Sequence, residues 1–337
     1  MKWKYAIYKL LNSIKEVKII AIVKNMGVAY VFSKIQPKAT IIATITLVFV
    51  ALALYLVPGL GLIFALFATI PGIVLWNKSI QSFGISALIT VIITTVLGNT
   101  FVLSAIILVL IASLIIGQLL KERTSKERIL YVTTVAMSLI SLIAFMLLQT
   151  FGRIPPSASL VKPFKQSLHE VITMSGADAN MTQMLEEGFR QATVQLPGFI
   201  IIITFLIVLI NLIVTFPIIR KFKIATPVFK PLFAWQMSGI LLWIYIIVII
   251  CLLFTGQPSV FQSILLNFQL VLSLVMYIQG LSVIHFFGKA KGLPNAVTIL
   301  LLIIGTILTP TTHIVGLLGV IDLSLNLKRI MKNNSKK

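Results

Sequence analysis

Gln262, Gln269, Ser273, Tyr277 and Gly280 fall within about 80° of arc on a helix that turns 100° per residue. They set amides and hydroxyls along one face of an otherwise apolar run. Such groups do not ionise, and their chemistry is hydrogen bonding. An uncharged stripe among aromatic residues suits a neutral or zwitterionic small molecule held in an apolar pocket. The same residues serve equally well as interhelical hydrogen bonds that hold a bundle together. Asn211, central in another apolar run, carries the same two readings, and Asn99, Thr100 and Gln257 lie at the ends of others.

Acid–base, metal and nucleophilic chemistry find less footing. Of eight Asp and Glu, only Asp322 lies within an apolar run, close to where that run ends. Proton or sodium coupling through intramembrane carboxylates is therefore not expected. His169-Glu170 has no second His four residues on to complete a zinc helix, and no GxxxxGK[ST], GxSxG or CxxC occurs. Cys251 is the single cysteine, which excludes an intrachain disulfide and a thiolate metal site. His285 and His313 read as interfacial or hydrogen-bonded residues, not ligands. The sequence points away from an enzyme and calls for no cofactor and no metal.

A membrane bundle has to position the stripe. The chain has 337 residues, 58% of them hydrophobic and only 11% charged, whereas a soluble domain carries about 25% charge. Most of the exterior must face lipid, and runs far longer than the roughly ten-residue strands of a barrel favour helices. The runs are Thr40 to Leu56, Gly59 to Trp76, Ser79 to Leu97, Phe101 to Leu120, Ile129 to Thr150, Leu196 to Ile219, Phe233 to Thr255 and Val260 to Phe287. A ninth stretch, Pro294 to Leu327, is too long for one span. Thr309-Pro310-Thr311 breaks it into two short helices or a re-entrant hairpin. The expected fold is an all-α, polytopic transmembrane bundle of eight to ten apolar segments over residues 40–330.

Charge placement orients it. The net charge is +20, but where the charges lie matters more than the sum, and no nucleic-acid partner is expected. Lys78, the group Lys121, Arg123, Lys126 and Arg128, the group Arg220, Lys221, Lys223 and Lys230, and the pair Lys289 and Lys291 share one side. Pro58-Gly59, Gly98-Asn99-Thr100, residues 151–195 and Gly256-Gln257-Pro258 share the other. Lys and Arg in short loops stay cytoplasmic, so the basic side faces the cytoplasm of a multi-pass cell-membrane protein. Eight Lys precede Thr40, and Lys328, Arg329, Lys332, Lys336 and Lys337 close the chain. Both termini are therefore expected inside, which requires an even number of crossings and favours the broken hairpin.

Three flanking pieces complete the organisation. Residues 1–39 alternate Lys with apolar residues, a basic amphipathic pattern suited to an anionic inner leaflet. They lack the cleavage site of a signal peptide, and a translation start near Val31 is the alternative. Residues 331–337 form a basic tail. The insert at 151–195 places Leu160, Val161, Phe164, Leu168 and Val171, then Met184, Leu185 and Phe189, at helical spacing. This predicts two short amphipathic helices, the second capped near Asn180, lying on the outer surface or covering the bundle as a lid. Trp76, Trp235, Trp243 and Tyr245 resemble interface anchors. Ala39 and Ala43 form an AxxxA that permits close approach of another helix.

Several stretches together carry a resemblance. They are Pro58-Gly59 leading to Ile70-Pro71-Gly72; Lys230-Pro231 ahead of Trp235 and Trp243; Asn267 with Tyr277-Ile278-Gln279-Gly280-Leu281; and Leu317-Leu318-Gly319-Val320-Ile321-Asp322 before Lys328-Arg329. In that order, over about Phe32 to Ile330, the chain resembles the YybS-like family of uncharacterised multi-span membrane proteins of Gram-positive bacteria. Where that family is expected to carry a proline after the Trp of the seventh run, this chain has Met237-Ser238-Gly239. More loosely, the first five or six runs are similar to the S-components of energy-coupling factor transporters and to MreD. The likeness to S-components implies a substrate-binding subunit for a small uncharged or zwitterionic molecule, with Ala39 and Ala43 docking a coupling subunit of an ATPase module. The family resemblance also implies a membrane-bound cyclic-di-AMP phosphodiesterase as partner. The alternative function is a scaffold or regulator linked to cell-envelope or cyclic-di-AMP signalling proteins.

Overall fold

The computed structural model describes residues 34–174, 179–255, 259–307 and 309–334. The amphipathic stretch before Lys34, the start near Val31, the Gly256-Gln257-Pro258 connection and the last three residues of the tail lie outside them. All regular structure among the described residues is helical. The helices are α1 (Pro37–Leu56), α2 (Pro58–Ala65), α3 (Thr69–Lys78), α4 (Ile80–Val96), α5 (Thr100–Lys121), α6 (Lys126–Thr150) and α7 (Ser157–Met174). They continue with α8 (Ala179–Val194), α9 (Leu196–Lys221), α10 (Gly239–Leu253), α11 (Val260–Ala290), α12 (Asn295–Ile307), α13 (Thr309–Leu325) and α14 (Leu327–Asn334).

Six of these are long and apolar enough to cross a bilayer: α1, α2 with α3 (Pro58–Lys78), α5, α6, α9 and α11. The ninth run divides as the Pro310 signal suggests, into α12 and α13 bent by 111°, and this pair makes a seventh at most. The third and seventh runs form shorter apolar helices, α4 with 17 residues and α10 with 15. At 1.5 Å per residue these reach only about 26 and 22 Å, short of a core of about 30 Å.

The described helices group into two compact units. The first takes residues 34–137 and Ile207–Val228. Pro37 and Pro58 start α1 and α2 at positions where a missing N–H costs nothing. Ser79 Oγ accepts from Ser82 N–H at α4, and Asn99 Oδ1 accepts from Phe101 and Val102 N–H at α5. Leu47, Val50, Ala51 and Leu54 of α1 meet Val102, Ile106 and Leu110 of α5 in one core with Leu75 and Phe83. Ile41, Ile42, Ile45 and Phe49 on the other side of α1 are exposed, which is the apolar exterior a bilayer requires.

The second unit takes residues 138–206 and 229–334. Its organising helix is α11, which packs on α10, α12, α13 and α14. Two glycines make the α11–α13 crossing close. A Cβ on Gly280 would overlap the backbone carbonyl of Val315, and one on Gly319 would overlap that of Met276. The obstructing atoms are backbone, so only residues without a side chain fit at both places.

Two expected helices are interrupted where no break was read. The second run turns at Leu66–Ala68, where i→i−3 hydrogen bonds replace the α pattern. The seventh run starts with a single 3₁₀ turn at Leu232–Ala234, becomes extended at Trp235, and becomes α-helical only at Gly239, after Ser238 caps the helix. The kink that a proline would have explained is thus present without one. The insert does form two helices, α7 and α8.

Candidate functional site

Irregular backbone within an apolar bundle survives only where its freed polar groups find partners, and both interruptions are built around that requirement. In the first unit, Asn211 Nδ2 donates to Leu66 O at 2.7 Å and lies 2.9 Å from Thr69 Oγ1. Ser113 Oγ lies 3.2 Å from Thr69 O. Asn211 is buried, and its amide is committed to the broken α2–α3 helix.

In the second unit, Trp235–Ser238 lies against α11, α13 and α14 through a buried polar lock. Asp322, Gln279 and Ser282 each have 0% of their surface exposed. Gln279 Nε2 donates to Asp322 Oδ2 at 2.5 Å, and Met237 N–H donates to Gln279 Oε1 at 3.0 Å. Lys328 N–H donates to Asp322 Oδ1 at 3.1 Å. The Lys328 ammonium donates to Trp235 O at 2.6 Å and to Ser282 Oγ at 2.7 Å. Ser282 Oγ in turn lies 2.6 Å from Leu232 O and 2.9 Å from Trp235 O, and its single proton serves one of them. Burial pulls the Lys328 amine below its ordinary value, and the Asp322 charge opposes that shift. The Lys328 ammonium thus holds the extended segment at Trp235, and the Asp322 carboxylate holds it at Met237 through Gln279.

The stripe on α11 lies in this same unit. Ser273 Oγ is 3.5 Å from Tyr245 Oη on α10, and Tyr277 Oη donates to Gly305 O on α12 at 3.2 Å. Gly280 lies at the α13 crossing. Gln262 sits half-buried in the first turn, its N–H capped by Ser259 Oγ at 3.1 Å. Gln269 is half-buried at mid-helix, and no side-chain hydrogen bond joins it to another described residue. Among the described residues, no group of three or more His, Cys, Asp and Glu is arranged to hold a metal. His285 is packed edge-on against Phe233, 5.4 Å between ring centres, and His313 is exposed. Ala43, 4% exposed, belongs to the core of the first unit, and Ala39 packs against that core. This face of α1 therefore meets helices of its own unit.

The profile of the family described as "Predicted membrane protein (DUF2232)" matches residues 44–323. The chain belongs to that family. It is also 25% identical over 177 residues to the "Uncharacterized protein YybS" of Bacillus subtilis strain 168, a match covering 50% of this chain and 57% of the relative. No solved structure matches. The YybS-like resemblance therefore holds, and three of the four stretches that carry it lie in the second unit of this DUF2232 protein. Trp235, Gln279, Asp322 and Lys328 form the lock, Gly280 and Gly319 form the crossing, and Asn267 Oδ1 accepts from Gly198 N–H at 2.6 Å. Reading composition and spacing alone placed Asp322 at a membrane exit. Its place at the end of the Leu317–Asp322 stretch, six residues before Lys328, was the available signal that it does more.

Proposed function

We propose that this membrane protein is a substrate-binding subunit, S-component-like in role, that holds a small uncharged or zwitterionic molecule along the α11 stripe. Gln269 carries the reading. A half-buried amide within an apolar helix costs about 1–3 kcal/mol when its hydrogen bonds go unmade. Its neighbours Ser273 and Tyr277 make only long contacts. The stripe thus has hydrogen-bonding capacity to offer a ligand, and no formal charge to attract an ion. Asn211 bonds within the helix-breaking network of the first unit, and the reading rests on the α11 residues. The energy source is a partner ATPase module, since the chain has no nucleotide-binding motif. In the cell membrane of a Gram-positive bacterium the basic loops face the cytoplasm with both termini, and α4 and α10 cross as short spans among eight to ten apolar segments.

Native mass spectrometry in mild detergent tests the reading. A small molecule should travel with the parent protein and be lost from Gln269→Leu, while apo unfolding changes by less than about 0.5 kcal/mol, below the average of about 0.6 for an interhelical hydrogen bond. Equal retention by both proteins, with the apo form of the variant destabilised by up to about 1.7 kcal/mol, would mean that Gln269 joins helices instead. Co-purification adds a second criterion. Recovery of only cell-envelope proteins or a cyclic-di-AMP phosphodiesterase, without an ATPase, overturns the transport role in favour of a scaffold.

A further inference from the structure

The α7–α8 hairpin carries charged and polar residues between its helices. Lys165 Nζ of α7 meets Glu186 Oε1 of α8 at 2.7 Å. The open groove between the helices, about 1770 Å³, is lined largely by such residues, including Lys162, Gln166, Glu170, Glu187 and Arg190. Val161, Met184, Phe189 and Val194 line the same groove, whereas Phe164, Leu168 and Met181 do not. Phe164 is 73% exposed and Met184 76%, and Leu168 and Met181 are exposed as well. Leu160, Val161, Leu185 and Phe189 are half-buried, but a helical hairpin in water covers its largest apolar side chains as well, and here Phe164, Leu168 and Met181 stay open.

Its surroundings in the same unit indicate what covers those side chains. The hairpin follows the end of α6, where Met146, Leu147 and Phe151 are exposed, and precedes α9, where Phe199 and Ile203 are exposed. Both ends of the insert are therefore tied to helix surfaces suited to lipid. The bundle itself holds the hairpin at its C-terminal end, where Asn267 Nδ2 donates to Val194 O at 3.0 Å and Gln195 Nε2 to Leu266 O at 3.2 Å. We infer that α7 and α8 lie in the membrane interface, with Phe164, Leu168 and Met181 inserted at the boundary between headgroups and acyl chains, and with the groove turned to water.

Over residues 151–195 the four basic residues Arg153, Lys162, Lys165 and Arg190 are balanced by Glu170, Asp178, Glu186 and Glu187. The attachment is thus apolar in origin, without the dependence on anionic lipid that basic amphipathic helices show. This inference needs only a membrane-embedded chain and holds whether or not the α11 stripe binds a ligand.

Spin labels on the full chain in proteoliposomes decide it. With Cys251→Ser as background, nitroxides are attached at Phe164→Cys, Leu168→Cys and Met181→Cys, and at Gln166→Cys on the polar side. All four positions are exposed, so the substitutions leave packing intact, and any one apolar-face variant suffices against Gln166→Cys. In phosphatidylcholine vesicles the ratio of collisions with oxygen to collisions with a water-soluble nickel chelate should be several-fold higher at the three apolar positions. It should not change when anionic phosphatidylglycerol is added or salt is raised. A uniformly low ratio at all four positions would place the hairpin in water and overturn the inference. Protection from both reagents at the apolar positions would show that protein covers them, as a lid or a second copy, and would overturn it equally.

Discussion

Asp322→Asn probes the buried lock with the smallest change of shape. Asp322 accepts through both oxygens, from Gln279 Nε2 and from Lys328 N–H. The Gln279 amide cannot turn over to compensate, because its oxygen already receives Met237 N–H. An asparagine here has a single oxygen, so whichever way its amide is set, one NH₂ faces another N–H where water cannot enter. A hydrogen bond to a charged group contributes about 1.5–3 kcal/mol, and the Lys328 ammonium loses its nearby countercharge as well. The expected destabilisation is about 2–3 kcal/mol, or a Tm lower by roughly 4–12 °C for a unit of this size, measured by thermal unfolding in mild detergent. Combining Asp322→Asn with Gln279→Ala should cost about 1 kcal/mol less than the two single changes added together, because they break one shared bond. A loss below about 0.5 kcal/mol for Asp322→Asn with additive behaviour in the double variant would refute the assignment of a charged double acceptor.

Gly319→Ala and Gly280→Ala each place a methyl group against backbone carbonyl oxygen, so α11 and α13 must part. Each should cost about 2 kcal/mol or more, read in the same unfolding assay, while Gly316→Ala, where a Cβ meets nothing within 4 Å, should be neutral. Asn211→Leu removes the donors to Leu66 O and Thr69 Oγ1 and should cost about 1–2 kcal/mol. Hydrogen exchange should quicken around Leu66–Ala68 and stay unchanged in α10.

The long helices were legible because a bilayer filters sequences coarsely: about 20 apolar residues between charged or Pro/Gly punctuation leave few alternatives. The interruptions were not, and the reason is range. Nothing local breaks the helix at Leu66–Ala68; the group that satisfies its freed carbonyl is Asn211, 145 residues away. The extended turn before α10 depends on Ser282 and Lys328, 47 and 93 residues from Trp235. Periodicity also has a blind side. The stripe was found because its members share one face of α11, but Gln279 lies about 100° from Gln262 around the same helix, and Ser282 is still further round. That face reads as ordinary until α13 brings Asp322 to it. The insert shows the same limit. Spacing identified two amphipathic helices, yet a helix with one apolar side can pair it with a partner or turn it to lipid, and the pattern is identical in both cases. Contacts distinguish them: Val161 and Phe189 line the groove between the helices, while Phe164, Leu168 and Met181 of the same amphipathic pattern stay open.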